Sequence, residues 1–276
     1  MIKHTGMAGP VSSVIVRPIL RGCASLPACA ASLFALACIG SADAADCVLE
    51  RQGEGRVATV VDARSFRLED GREIRLAGIE RTGTDRTGGR AALSAIVAGR
   101  EVTLHGEDDS PDRYGRQSAF VFVAGSELSV QMELLRRGEA LISSDIAEKN
   151  CAAALAAAER TARDAKLGIW AETSAIKNTE SPGDILAAIG QFTVVEGRVL
   201  SVRQAGAITY LNFGRNWTQD FAATIPRRII PAFENAGLRP KLFENRRIRV
   251  RGVVSSRGGP RIEVLRVGQI EVLGGN

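Results

Sequence analysis

Histidine is nearly absent: His4 and His105 are the only two in 276 residues. Only His105 lies outside the N-terminal leader described below, so a histidine general base or a Ser-His-Asp triad has no material to work with. Cysteine is sparse in the same way. Cys23, Cys29 and Cys38 fall in the leader, leaving Cys47 and Cys151. Neither has a histidine nearby, which argues against a metal or nucleophile role. Two thiols in an oxidising compartment instead point to one disulfide. Low-complexity tracts, coiled-coil heptads, collagen periodicity, an internal repeat and a disorder signature are all missing, and the composition is that of a globular protein.

What is present begins with an export signal. Lys3, Arg17 and Arg21 precede an apolar, small-residue run from Cys23 to Ile39, and Ala42-Asp43-Ala44 offers an A-x-A cleavage site. The run contains Pro27 and is too weakly apolar for a stable membrane span. Residues 1–44 are therefore expected to be a cleaved signal peptide, with a secreted or periplasmic product and no transmembrane helix after cleavage. The net charge of +5 is unevenly spread. Residues 45–183 hold nineteen Lys and Arg against twenty-three Asp and Glu, whereas residues 184–276 hold fourteen against seven. The basic last third suits an anionic partner, or a solvated Arg-rich surface.

Short β runs occupy 57–61, 65–68 and 73–77, the last two joined by the hairpin sequence Glu69-Asp70-Gly71-Arg72. A helix is expected over 91–98, strands over 102–105 and 118–123, and helices over 129–137 and 151–165. Residues 171–183 are polar and read as a linker between a domain at 45–170 and another at 184–276. In the latter, strands at 192–202, 208–213, 221–225, 246–256 and 261–267 with a helix near 229–236 suit a small closed barrel. The fold class is α+β, mainly β: the last third suits a second small β-barrel of oligonucleotide/oligosaccharide-binding (OB) type, and the five-stranded OB-type barrel with helices expected before it is what the family resemblance described next implies.

The stretch Val60-Val61-Asp62-Ala63-Arg64-Ser65-Phe66 through Arg75-Leu76-Ala77-Gly78-Ile79-Glu80, the loop Asp112-Arg113-Tyr114-Gly115-Arg116, and the runs Glu133–Ala140 and Ala162–Trp170 resemble the thermonuclease-like family in order and spacing. The resemblance covers roughly residues 55–170. It implies phosphodiester hydrolysis in DNA or RNA, with one Ca²⁺ held by carboxylates, a glutamate activating water, and two arginines clamping the phosphate. Hard cations want oxygen ligands, and guanidinium forks match phosphate oxygens.

Carried over position by position, the match is partial. Arg75 and Arg116 fill the phosphate-clamping positions, while Asp62 and Glu80 fill calcium-ligand positions. Arg64 stands where a further carboxylate ligand is expected, and Gly83 stands where the water-activating glutamate belongs, with Thr82 in place of the preceding proline. A cation in place of a metal ligand turns attraction into repulsion. Loss of a general base forfeits ~10²–10⁴ in rate. The expectation is nucleic-acid binding with catalysis lost or strongly reduced. The alternatives are an active metal-dependent endonuclease that relocates its acids, for instance to Asp85, and a cell-envelope scaffold for other proteins. Tyr114 on the loop, together with Arg215, Trp217, Arg227 and Arg228 in the last third, are candidate nucleic-acid contacts. The competing reading makes Phe213, Trp217 and Phe221 the core and plug of the second barrel.

Overall fold

Alternating apolar residues build the first barrel. In the computed structural model, which describes residues 47–81 and 88–274, β1 (Glu50–Asp62), β2 (Ser65–Leu68) and β3 (Glu73–Leu76) form an antiparallel meander. Val57, Val60, Phe66, Leu68, Ile74 and Leu76 face its interior. The β2–β3 turn follows its sequence: Asp70 accepts the Arg72 N–H, and Gly71 adopts φ +90°, a geometry that costs glycine little. Beyond β4 (Ile79–Arg81) and α1 (Gly88–Val97) come β5 (Glu101–Gly106) and β6 (Arg116–Val123). Residues 50–56 of β1 pair with β5 and residues 57–62 with β2. One long strand thus closes a five-stranded barrel in the order β1-β2-β3-β6-β5, with β3 and β6 parallel.

Next, α2 (Val130–Arg136) is capped by Ser129, whose hydroxyl accepts the Met132 N–H. β7 (Ala140–Ile142) pairs with β4, and α3 (Lys149–Asp164) packs on α2. Cys47 and Cys151 form a disulfide that spans 104 positions of sequence. In the chain-entropy view a loop of that length contributes about 4–5 kcal/mol. No described helix is long and apolar enough to cross a membrane.

Residues 171–183, expected as a linker, carry structure of their own. β8 (Ile176–Asn178) pairs in parallel with Val194–Glu196, and α4 (Pro182–Leu186) buries Ile185 in the second core. Polar side chains there said nothing of the backbone, which finds its partners in the sheet. Then follow β9 (Phe192–Arg198), β10 (Ser201–Ala205), β11 (Ile208–Asn212), β12 (Ala222–Pro226), α5 (Ile230–Asn235), β13 (Arg247–Arg257), β14 (Gly259–Glu263) and β15 (Ile270–Val272).

The strand expected over 192–202 is interrupted at Val199 and Leu200, whose N–H groups go to Arg246 and Asn212. Its two halves divide the work that β1 does alone: β9 pairs with β13, and β10 pairs with β11. The order β10-β11-β12-β14-β13-β9 therefore begins and ends on strands that follow one another in the chain, again with one parallel pair along this path, β12 and β14. The second β-rich region repeats the circuit of the first barrel, adding β8 and β15 outside it. Leu211, Phe221, Ile225, Phe233, Ile248 and Ile262 fill its core. Phe213 packs on Phe221, but Trp217 is 76% exposed and plugs nothing.

Glu159 of α3 and Arg251 of β13 link the two barrels by a bidentate ion pair, both contacts 3.0 Å, with the side chains 1% and 4% exposed. Arg163 and Arg249 extend the network to Glu271 and Glu196.

Candidate nucleic-acid interface

The site begins where β1 ends. Asp62 accepts the backbone N–H of Arg64 at 2.9 Å, which fixes the turn and directs the Arg64 side chain toward β4. There its guanidinium forms an ion pair with Glu80 and donates to the Ile79 carbonyl at 3.3 Å. Arg75 alternates with the core residues Ile74 and Leu76, so it stands on the outer face of β3. It reaches the same Glu80 oxygen at 3.5 Å. Partial burial, and after it the positive charge of Arg64, lower the pKa of Arg75. Two guanidiniums share the Glu80 carboxylate, with Asp62 beside Arg64 and the charge of Asp145 also felt by Arg75.

Arg116 opens β6 and is held by Asp112. One Asp112 oxygen accepts Nε and Nη2 of Arg116 at 3.0 and 2.7 Å, and the other accepts the N–H groups of Tyr114 and Arg116. These bonds, the Arg116 side chain foremost, hold the Asp112 carboxyl at about 2 and raise the pKa of Arg116. Tyr114 projects from this loop, 66% exposed, with the guanidinium carbons of Arg113 and Arg116 at 4.8 and 5.0 Å from its ring centroid. The charge of Arg116 is felt by Arg75 and that of Asp62 by Arg116, so the residues of the two motifs share one neighbourhood.

The carboxylates expected as calcium ligands do not suit that ion here. Asp62 and Glu80 both bond to Arg64, one through its backbone and one through its side chain. Calcium requires six to eight oxygens, and a guanidinium among them opposes the ion. Among the described residues, one group of three possible ligands exists, Cys47, Glu148 and Cys151. Its sulfurs are spent in the disulfide, and Glu148 caps α3. Thr82, Gly83 and Asp85 lie outside the described residues.

The remaining candidates do not form one site. Arg215 and Trp217 occupy the loop joining β11 to β12, whereas Arg227 and Arg228 follow β12 at the other end of the same hairpin. Five residues of strand separate the two ends, about 15 Å. Arg227 borders a cleft of about 510 Å³ with Val202, Thr209, Pro231 and Lys241. From the sequence, Tyr210 beside Trp217 and Arg203 also reads as part of a base-stacking surface, but its partner Arg261, whose guanidinium lies 5.6 Å from its ring, was missed. Arg113, which adjoins Tyr114 inside a motif already recognised, was also passed over.

A closed five-stranded barrel in this strand order is of the OB type. More narrowly, residues 74–172 match the family model described as staphylococcal nuclease homologue, and that stretch is similar to the family. The match runs from β3 to just beyond Trp170 and leaves the second barrel outside it. No curated protein matches the chain.

Proposed function

We propose that the first barrel binds the phosphodiester backbone of nucleic acid without calcium and without hydrolysing it. The observation that carries this reading is Arg64, which engages both Asp62 and Glu80. In that position a guanidinium supplies the positive charge that an ion would otherwise bring. Arg75 and Arg116 are then the groups that meet phosphate oxygens, and Tyr114 is the exposed ring beside them. Glycine at position 83 offers no carboxylate to activate water. The disulfide between Cys47 and Cys151 fits an exported protein, secreted or periplasmic.

The test is fluorescence anisotropy with labelled DNA and RNA, alongside incubation with plasmid, in Ca²⁺ or in chelator. Binding that weakens with salt, is indifferent to chelator, drops on Arg116→Ala, and leaves the plasmid intact is the expected result. Cleavage that requires metal would overturn it.

A further inference from the structure

The second barrel repeats the strand circuit of the first, so the positions of the first site can be located on it by register. In the first barrel Glu73 of β3 faces Arg116 of β6, and Ser65 of β2 faces Arg75 of β3. In the second, Ala222 of β12 faces Arg261 of β14, and Tyr210 of β11 faces Thr224 of β12. Both rows are spaced alike: two residues beyond Glu73 is Arg75, and two beyond Ala222 is Thr224. Arg261 therefore holds the place of Arg116, and Tyr210 that of Ser65. Arg203 of β10 pairs with Tyr210 and completes the row, as Asp62 pairs with Ser65.

These side chains point away from the core. Tyr210 alternates with buried Leu211, and Arg261 precedes buried Ile262. The Arg–Tyr pairing of the first site recurs, with Arg261 over the Tyr210 ring as Arg116 is over Tyr114. The electrostatics differ. Arg64, Arg75 and Arg116 each have a carboxylate partner. Among the described residues no carboxylate pairs with Arg203, Arg215, Arg257 or Arg261. Among the described residues Glu263 on this face likewise has no ion-pair partner, and Asp220 in the loop bearing Arg215 and Trp217 accepts the Asn216 N–H. At one edge Trp217 lies exposed against the β13–β14 turn at Gly258, next to Arg257.

We infer that this face of the second barrel, centred on Arg203, Tyr210 and Arg261, binds single-stranded nucleic acid by stacking bases on Tyr210 and Trp217 while the unpaired arginines meet phosphates. Stacking needs bases freed from a duplex, and unpaired guanidiniums need no carboxylate displaced before they accept an anion. The inference concerns a different surface from the first-barrel site and stands independently of it.

The experiment uses the purified chain and labelled single-stranded oligonucleotides of about 15 nucleotides, the upper site size of one such barrel. Tyr210→Leu and Arg203→Glu should each weaken binding ~10-fold, and Tyr210→Phe should retain it. Arg203→Glu should also lower the slope of log K against log salt by about 1. Trp217 fluorescence should be quenched on binding. Unchanged thermal unfolding shows that the variants fold. If both second-barrel variants bind like the parent while Arg116→Ala binds weakly, this inference falls and the first-barrel reading stands. If Arg116→Ala binds like the parent while Tyr210→Leu and Arg203→Glu are weak, the reverse holds. Equal affinity of the parent and Tyr210→Leu, with heparin competing freely, would reduce the face to a charged patch and overturn the inference.

Discussion

Replacing Arg64 by Asp removes the guanidinium that bonds Glu80 and sets a third carboxylate beside Asp62 and Glu80. Such a trio is a fair start on an oxygen cage for a hard cation. Calcium should then raise the melting temperature of Arg64→Asp while leaving the parent unmoved, because only a ligand that binds the folded state stabilises it. Equal response of the two proteins in differential scanning fluorimetry would refute the role given to Arg64. The variant should still not cleave DNA, since position 83 remains glycine. Asp112 makes a separate prediction. Its folded pKa is depressed from 3.8 to about 2, so the contribution of its bonds is fully present above pH ~4 and is lost as pH falls toward 2. A carboxyl NMR titration should find its midpoint near 2, and Arg113→Ala should leave it there. Arg75 and Arg116 were legible in the sequence because each stands inside a motif. The pairing of Arg64 with Glu80 was not, because the two are far apart in sequence and meet only where the folded chain brings Leu76 N–H onto the Arg64 carbonyl.

Elements were legible wherever their signal was local. The alternation of 65–68 and 73–76, the turn at Asp70-Gly71, and the apolar stripes of α2 and α3 lie in contiguous residues. β8, β4, β7 and the break at Val199–Leu200 were missed because each owes its form to a distant partner. A close crossing after α3 belongs to the same class. Gly168 has φ +53°, and a Cβ added there would lie 2.5 Å from the carbonyl oxygens of Arg137 and Gly138. Nothing near Gly168 in sequence announces that the chain returns onto the end of α2. Gly168→Ala should cost about 1–3 kcal/mol from backbone strain together with displacement of that crossing. Urea unfolding should show a lower midpoint with an unchanged slope. A midpoint like the parent's would mean that the crossing yields easily.

At the scale of the whole molecule, two OB-type barrels were expected from the sequence, but the division of the opening strand in the second was not: β1 is continuous where β9 and β10 are split. The union of the barrels was equally invisible, since Glu159 and Arg251 lie 92 positions apart. That pair bears on cooperativity. Glu159 also accepts the Ile142 N–H, so its carboxylate serves α3, β7 and β13 at once. Glu159→Ala would leave the buried Arg251 with only the Ile142 carbonyl at 3.4 Å and the more distant Glu271 at 4.0 Å, and would strand a backbone donor; losing one partner of a buried pair costs about 3–5 kcal/mol. Because the pair joins the barrels, that loss falls on their coupling more than on either core. The parent should unfold in one calorimetric transition. Glu159→Ala should unfold in two, the disulfide-closed first barrel melting later than the second. Combining it with Arg251→Met removes the stranded charge, so the double variant should recover much of the lost stability without restoring the single transition. One sharp transition in all three proteins would show that the remaining contacts, among them the Arg163–Glu271 pair, hold the barrels together, and that the Glu159–Arg251 pair merely fills the space between them.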